Sequence, residues 1–238
     1  MRTLIAVFAA VTFAAAVATG ANGVPIAQES SAAATIVAPA EGPPAYAARE
    51  LQKYVRKMSG AELSIVRRAD AAEGTVIRIR VRGDAAELDG FRLRAADDAI
   101  FIEAGLPRGT IYGAYGLLRR LGCRFYGRRP LGIIVPDRDS LSLPSDTNVL
   151  REPDYPNRFP SFGGPRQQVR WGLNFTHAGG GSADQKWTKK LGLKEWRWGH
   201  LWPRLVQKDY HADGGSEPMS YGDRTSWLPA NKKGKRRD

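Results

Sequence analysis

The chain has 238 residues, a length that allows one or two domains. With 42% hydrophobic and 25% charged residues it can bury a core, which excludes global disorder. One cysteine, Cys123, excludes an internal disulfide framework and a Cys-rich zinc site, while 36 Lys+Arg against 24 Asp+Glu (net +12) raises the question of an anionic partner such as nucleic acid.

The first residues read as an address. Met1-Arg2-Thr3 is a positive start, Leu4 to Ala18 is apolar except for Thr12, and small residues follow at Gly20, Ala21 and Gly23. This is the layout of a secretory signal over residues 1–23, with the cut before Val24. The apolar run is shorter than the ~20 residues of a spanning helix, so a cleaved signal is preferred over a membrane anchor. The expected location is secreted or periplasmic, with no membrane contact after cleavage. Export weakens the nucleic-acid reading. The basic residues are 26 Arg and 10 Lys, and many alternate along strand-like runs, as in Arg78, Arg80 and Arg82 or Arg92 and Arg94. Such residues fit the solvated face of a sheet better than a phosphate track, so no nucleic-acid partner is expected.

Gln28 to Ala34 is small and polar and reads as a linker. Thr35-Ile36-Val37 is a short strand. Pro43-Pro44 then suits a helix start. Over 45–59 the apolar residues Ala47, Ala48, Leu51, Tyr54, Val55 and Met58 recur at spacings of three and four, which marks an amphipathic helix stopped by Gly60. Leu63 to Val66 is a strand, and Thr75 to Val81 alternates Ile77, Ile79 and Val81 with Arg78 and Arg80. Phe91 to Arg94 and Ile100 to Ile102 form a hairpin between turns at Asp89-Gly90 and Asp97-Asp98. Arg108 to Leu121 is a second helix, with Ile111, Tyr115 and Leu118 on one stripe. Gly113 and Gly116 cost about 1 kcal/mol each in helix propensity, which points to close backbone approach to a neighbour. After Gly122, extended segments at 123–126, 131–135 and 141–143 complete a mixed α+β domain of two helices and about six short strands.

After Leu150 the character changes. All six tryptophans (Trp171, Trp187, Trp196, Trp198, Trp202, Trp227) and all three histidines (His177, His200, His211) lie there. A domain boundary is placed near 148–156.

Few chemistry motifs stand out. Residues 178–186, AGGGSADQK, lack phosphate-loop spacing and read as a flexible turn. Asp137 and Asp139 sit in a Pro-rich turn with no third ligand, and the histidine spacings match no zinc signature, so neither metal nor cofactor is expected. Cys123 reads as a small core residue, not a nucleophile. Asn174-Phe175-Thr176 is a glycosylation acceptor pattern, meaningful only in a host that glycosylates. Trp196, Trp198 and Trp202 surround His200. Indole faces stack on sugar rings and an imidazole hydrogen-bonds hydroxyls, so His200, Trp202 and Trp198 are the candidate sugar-binding residues; the competing reading is an aromatic core.

Two segments together resemble a known family. Residues 47–63, AARELQKYVRKMSGAEL, resemble the first helix of the N-terminal domain of family 67 glycoside hydrolases, the α-glucuronidases. Asp89-Gly90-Phe91 with residues 106–126, LPRGTIYGAYGLLRRLGCRFY, resembles that family's signature, with Gly109, Tyr112, Gly113, Tyr115, Leu118, Gly122, Cys123 and Arg124 on pattern. The resemblance covers roughly 34–150. It implies an accessory domain, similar to the second domain of β-hexosaminidases, that precedes a catalytic (β/α)8 barrel and carries no catalytic carboxylate. Residues 154–238 resemble the opening of that barrel at 170–174 and 199–203, then depart from the pattern after His211. A barrel needs roughly 200 residues. The expectation is therefore an incomplete, irregular barrel start with a basic tail at 232–237, and a chain that is a truncated or fragmentary relative. Catalytic carboxylates of such a glycosidase would come from later strands. The expected role is a non-catalytic accessory domain of a secreted α-glucuronidase-like protein acting on a polysaccharide or oligosaccharide, of the glucuronoxylan type. The alternative is a stand-alone carbohydrate-binding or scaffolding module.

Overall fold

A computed structural model describes residues 23–96, 98–127, 130–158, 164–177 and 182–196. The chain divides into two units, 1–154 and 155–238, taken in turn here.

In the first unit the helix read from spacing is present as α1 (Gly42–Ser59). Pro43 and Pro44 occupy its first turn, where the missing N–H costs nothing. Gly60 ends it with φ +78, a left-handed turn whose N–H bonds Arg56 O at 2.9 Å. The second helix is α2 (Gly109–Arg120). The strands before and between the helices are β1 (Gly23–Gln28), β2 (Ser31–Ala32), β3 (Ala34–Val37), β4 (Ser64–Val66), β5 (Thr75–Val81), β6 (Phe91–Ala96) and β7 (Ala99–Ala104). Those after α2 are β8 (Arg124–Phe125), β9 (Ile133–Ile134), β10 (Leu141–Pro144) and β11 (Asn148–Arg151).

Six strands form one mixed sheet in the order β11-β6-β7-β5-β3-β4. β4, β3, β5 and β7 run parallel, and β6 pairs antiparallel with both β7 and β11. The register puts Ile36, Ile77, Ile100, Ile79, Ile102 and Leu93 on one face. All six are at most 1% exposed. Both helices pack against this sheet and against each other. At about 1.5–3 kcal/mol per buried aliphatic side chain, this face is the main source of the domain's stability.

Two parts differ from the sequence reading. Residues 28–34 are no linker. β1 pairs antiparallel with β10 and with β2, and Ile26 is fully buried. The β1–β2 hairpin turns on Glu29 and Ser30 with φ 47 and 63, the two positive angles of a type I′ turn without its usual Asn-Gly. Likewise, Asn148–Arg151 is not boundary chain but the edge strand β11, paired with β6.

In the second unit, a short helix α3 (Pro165–Arg170) precedes β12 (Phe175–His177), α4 (Ser182–Leu191) and β13 (Lys194–Trp196). β12 and β13 pair in parallel, so β12–α4–β13 is a βαβ crossover. Ser182 to Lys186 thus open a helix, where the sequence reading had a flexible turn through residue 186. Among the described residues no helix is long and apolar enough to cross a membrane. Residues 1–22 of the expected signal (1–23) lie outside the described set, and its last residue, Gly23, is the first of β1.

Candidate functional site

The signature residues gather where α2 meets the sheet. Asp89, just before β6, and Arg108, at the start of α2, form a buried ion pair with Arg108 Nε 3.0 Å from Asp89 Oδ2. Close contact follows from the glycines: a Cβ on Gly109 would sit 2.4 Å from Gly90 O, one on Gly113 2.5 Å from Ile102 Cγ2, and one on Gly116 2.8 Å from Phe91 Cζ. The glycines seen in the sequence therefore let α2 lie directly on Phe91 and Ile102. Farther along, Phe125 packs edge-on between Tyr54 of α1 and Tyr115 of α2, at centroid distances of 5.2 and 5.1 Å. Glu50 accepts a hydrogen bond from Tyr115 Oη and one from Lys53 Nζ at 3.0 Å. Arg124 Nη1 donates to Arg119 O at 2.8 Å and to Cys123 O at 2.9 Å, which ties the end of α2 to β8.

Cys123 is fully buried beside Met58 Sδ at 3.6 Å. Burial pushes its thiol up to about 11, with the Arg124 charge pulling weakly the other way. At neutral pH it is a protonated core residue, as the sequence implied, and no nucleophile. Asp137 and Asp139 are exposed, and among the described residues no group of three or more His, Cys, Asp or Glu side chains is placed to hold a metal.

The sheet face away from the helices has a different chemistry. Cross-strand pairing lines up Val37, Arg78, Phe101, Arg94 and Asn148 in one row. The next row holds Arg80, Glu103, Arg92 and Leu150. Arg94 Cζ stands 4.2 Å and Arg80 Cζ 5.7 Å from the Phe101 ring centre. Glu103 is 2% exposed and accepts from Arg80 Nε at 2.7 Å and Arg82 Nη1 at 3.3 Å. Burial alone would raise its carboxyl, but the bonds and charges of Arg80 and Arg82 outweigh that and hold it below the ordinary range. Arg67, Arg78 and Arg94 have no acidic partner among the described residues. The alternating arginines seen in the sequence are therefore surface residues, but of a face concentrated around one phenylalanine and one buried acid.

In the second unit, Asn174 is 1% exposed and works as a latch. Its Oδ1 accepts from Arg158 N at 2.8 Å and its Nδ2 donates to Pro156 O at 2.7 Å. A glycan on that nitrogen would break the latch, so this fold uses Asn174 structurally. Trp187 is half-buried, with Arg166 Cζ and Lys190 Nζ each 5.0 Å from its ring centre. The candidate sugar-binding residues Trp198, His200 and Trp202 lie outside the described residues. The structure thus supplies two features that spacing alone did not: the Asp89–Arg108 pair and the arginine face. The first had a signal in the Asp-Gly-Phe and Arg-Gly motifs. The second needed the strand register.

Residues 22–124 match the family model described as glycosyl hydrolase family 20, domain 2. Among solved structures, similarity extends to a family GH115 4-O-methyl-α-glucuronidase with specificity for decorated arabinogalactans, at 16% identity and a TM-score of 0.53 over 70% of this chain and 28% of that one. It extends also to the GH20 β-N-acetylhexosaminidase from Streptomyces coelicolor A3(2), at 16% identity and a TM-score of 0.50 over 84% of this chain and 49% of that one. At these identities the likeness is one of fold. The chain spans about a quarter and about half of those two proteins. No curated protein matches the chain by sequence. The family 67 expectation is corrected accordingly: the match is to an accessory domain of family 20. The physical reason is that the quoted motifs record how α2 packs on the sheet, which identifies the domain type without fixing the catalytic family beside it.

Proposed function

We propose, from the premise that residues 22–124 form a glycoside-hydrolase accessory domain of the domain 2 type, that this chain serves carbohydrate processing without supplying catalytic groups from that domain. The observation that carries the reading is the use made of its buried acids. Asp89 is spent on Arg108, Glu50 on Tyr115 and Lys53, and Glu103 on Arg80 and Arg82. Glycoside hydrolysis needs two carboxyl groups facing one another across a sugar, roughly 5–10 Å apart, with one able to give up a proton. These three carboxylates are bound to cations or a phenol, and lie on different parts of the domain.

The parallel β12–α4–β13 unit supports a (β/α)-type element after the accessory domain, since such crossovers are the repeat from which barrels are built. Export, read from Arg2 and the apolar run over 4–18, and a polysaccharide partner of the glucuronoxylan type belong to the same proposal. So does sugar contact by Trp198, His200 and Trp202, which rests on sequence alone. The test is hydrolysis: the purified chain is incubated with aryl N-acetyl-β-glucosaminides and with uronic-acid-substituted xylo-oligosaccharides. Product release at the level of the buffer blank is expected. Turnover that disappears when Asp89, Glu50 or Glu103 is replaced would overturn the reading.

A further inference from the structure

The open sheet face contains a cleft of about 340 Å³ that the accessory role leaves unused. Val37, Ala38 and Pro39, at and just after the end of β3, line its middle; Arg78 and Arg80 come from β5 on one side of β3 and Arg67 from the end of β4 on the other, with Ala69 and Ile79 completing it. Among the described residues no acidic side chain lines it. Three features set this cleft apart from an ordinary solvated arginine surface. Arg78 stands on a central strand and its Nε is buried without a hydrogen-bond acceptor. A buried guanidinium nitrogen left unbonded is destabilising, and an incoming acceptor would recover that loss. The acid nearest in the sheet, Glu103, is already committed to Arg80 and Arg82. And Arg67 has no acidic partner among the described residues, whereas the neighbouring Arg68 is paired with Asp70 at 2.8 Å.

We infer that this cleft binds a carboxylate-bearing sugar, a uronate residue of an acidic oligosaccharide. A guanidinium presents a planar fork of donors that fits a carboxylate in two-point contact. Arg78 on β5 and Arg67 after β4 reach the cleft from opposite sides of β3, and neither has an acidic partner among the described residues, so their guanidinium groups can flank one anionic ring, while Arg80 is held by Glu103. Val37 and Pro39 offer an apolar wall to the ring's C–H face, and the volume falls at the small end of ligand clefts, where a mono- or disaccharide fits. A nucleic acid fits less well. Phe101, the one aromatic ring on this face of the sheet rows, is already taken by Arg80 and Arg94, which leaves no open ring for base stacking. The proposal depends on the carbohydrate reading above for its ligand class, and on the cleft alone for its place.

The experiment is a calorimetric titration of the full chain with trigalacturonic acid, with its carboxyl-reduced neutral counterpart, and with sodium acetate at equal carboxylate concentration. Saturable binding of the acidic trisaccharide only is expected. Arg78→Gln and, separately, Arg67→Gln should each weaken it at least tenfold, while Arg120→Gln, which removes the same charge from the end of α2, should leave it within twofold. Arg67 lies in an exposed loop, so its variant tests the cleft even if the β5 variant fails to fold. Equal binding of the neutral trisaccharide would overturn the inference while leaving the accessory reading in place. So would equal binding of acetate, or affinity untouched by the Arg67 and Arg78 substitutions. Failure of the accessory reading would show instead in the hydrolysis assay.

Discussion

Replacing Gly113 with alanine separates packing from propensity. Helix propensity alone makes Gly→Ala stabilising by about 1 kcal/mol. The structure opposes it. The added Cβ would lie 2.5 Å from Ile102 Cγ2 and 3.4 Å from the Phe91 ring. Ile102 is fully buried on a central strand, so it has no open space to move into. Overpacking of this kind costs typically ~1–3 kcal/mol. After the propensity gain is subtracted, Gly113→Ala should be neutral to destabilising by up to about 2 kcal/mol. In a domain of this size that lowers Tm by up to roughly 8 °C. Gly83→Ala is the control, because nothing lies within 4 Å of its Cβ and its φ is not in the left-handed range. It should leave Tm unchanged or raise it through the unfolded state, by up to about 1 kcal/mol. Thermal unfolding followed by far-UV circular dichroism decides. If Gly113→Ala raised Tm as much as Gly83→Ala, the claim that α2 lies directly on the sheet would be refuted.

Other expectations follow from single side chains. Cys123, with its thiol pushed up to about 11 and fully buried, should resist a thiol reagent at pH 7.5 in the folded chain and react completely in denaturant; fast native labelling would contradict its place in the core. Glu103 has its folded pKa held below the unfolded value, so its contribution to stability is full above the unfolded pKa of about 4.3 and is lost as pH falls through the folded value. Denaturant midpoints should therefore drop below about pH 4.5 more steeply in the parent than in Glu103→Gln, and equal slopes would remove the assigned role. Asn174→Ala removes both latch bonds in the second unit and should cost about 1–3 kcal/mol locally, seen as faster proteolysis around 155–158; unchanged cleavage kinetics would argue against the latch.

Much of the first unit was legible because burial imposes periods. Alternation over Thr75–Val81 gave β5, spacing of three and four gave α1, and the two helix glycines announced a contact now seen with Phe91 and Ile102. What stayed hidden depends on partners far away in sequence. β1 is held by β10, more than a hundred residues on, and its polar turn at Glu29-Ser30 lacks the glycine that marks most such hairpins. β11 is short and mostly exposed, so its own pattern carries no hydrophobic period; only β6 defines it. The arginine face was visible as alternation, yet alternation cannot say which residues stand side by side. Register does that, by setting Arg78 and Arg94 on either side of Phe101 and Arg80 against Glu103. The tryptophan cluster around His200 has no such constraint in the described residues, and its reading rests on side-chain chemistry alone.

The central claim is that the acids of the accessory domain hold its fold together and perform no chemistry. Asp89 is the sharpest case, since Asp-Gly-Phe is part of the signature and the residue is 2% exposed, paired with Arg108. Removing one partner of a buried pair leaves the other charge uncompensated and costs about 3–5 kcal/mol. The decisive measurement is Asp89→Asn in the full chain, with thermal unfolding and glycoside hydrolysis read on the same preparation. The account predicts a Tm lowered by roughly 10 °C or more and hydrolysis at background in both parent and variant. A parent that turns over substrate, and a variant that loses turnover with its Tm intact, would contradict it.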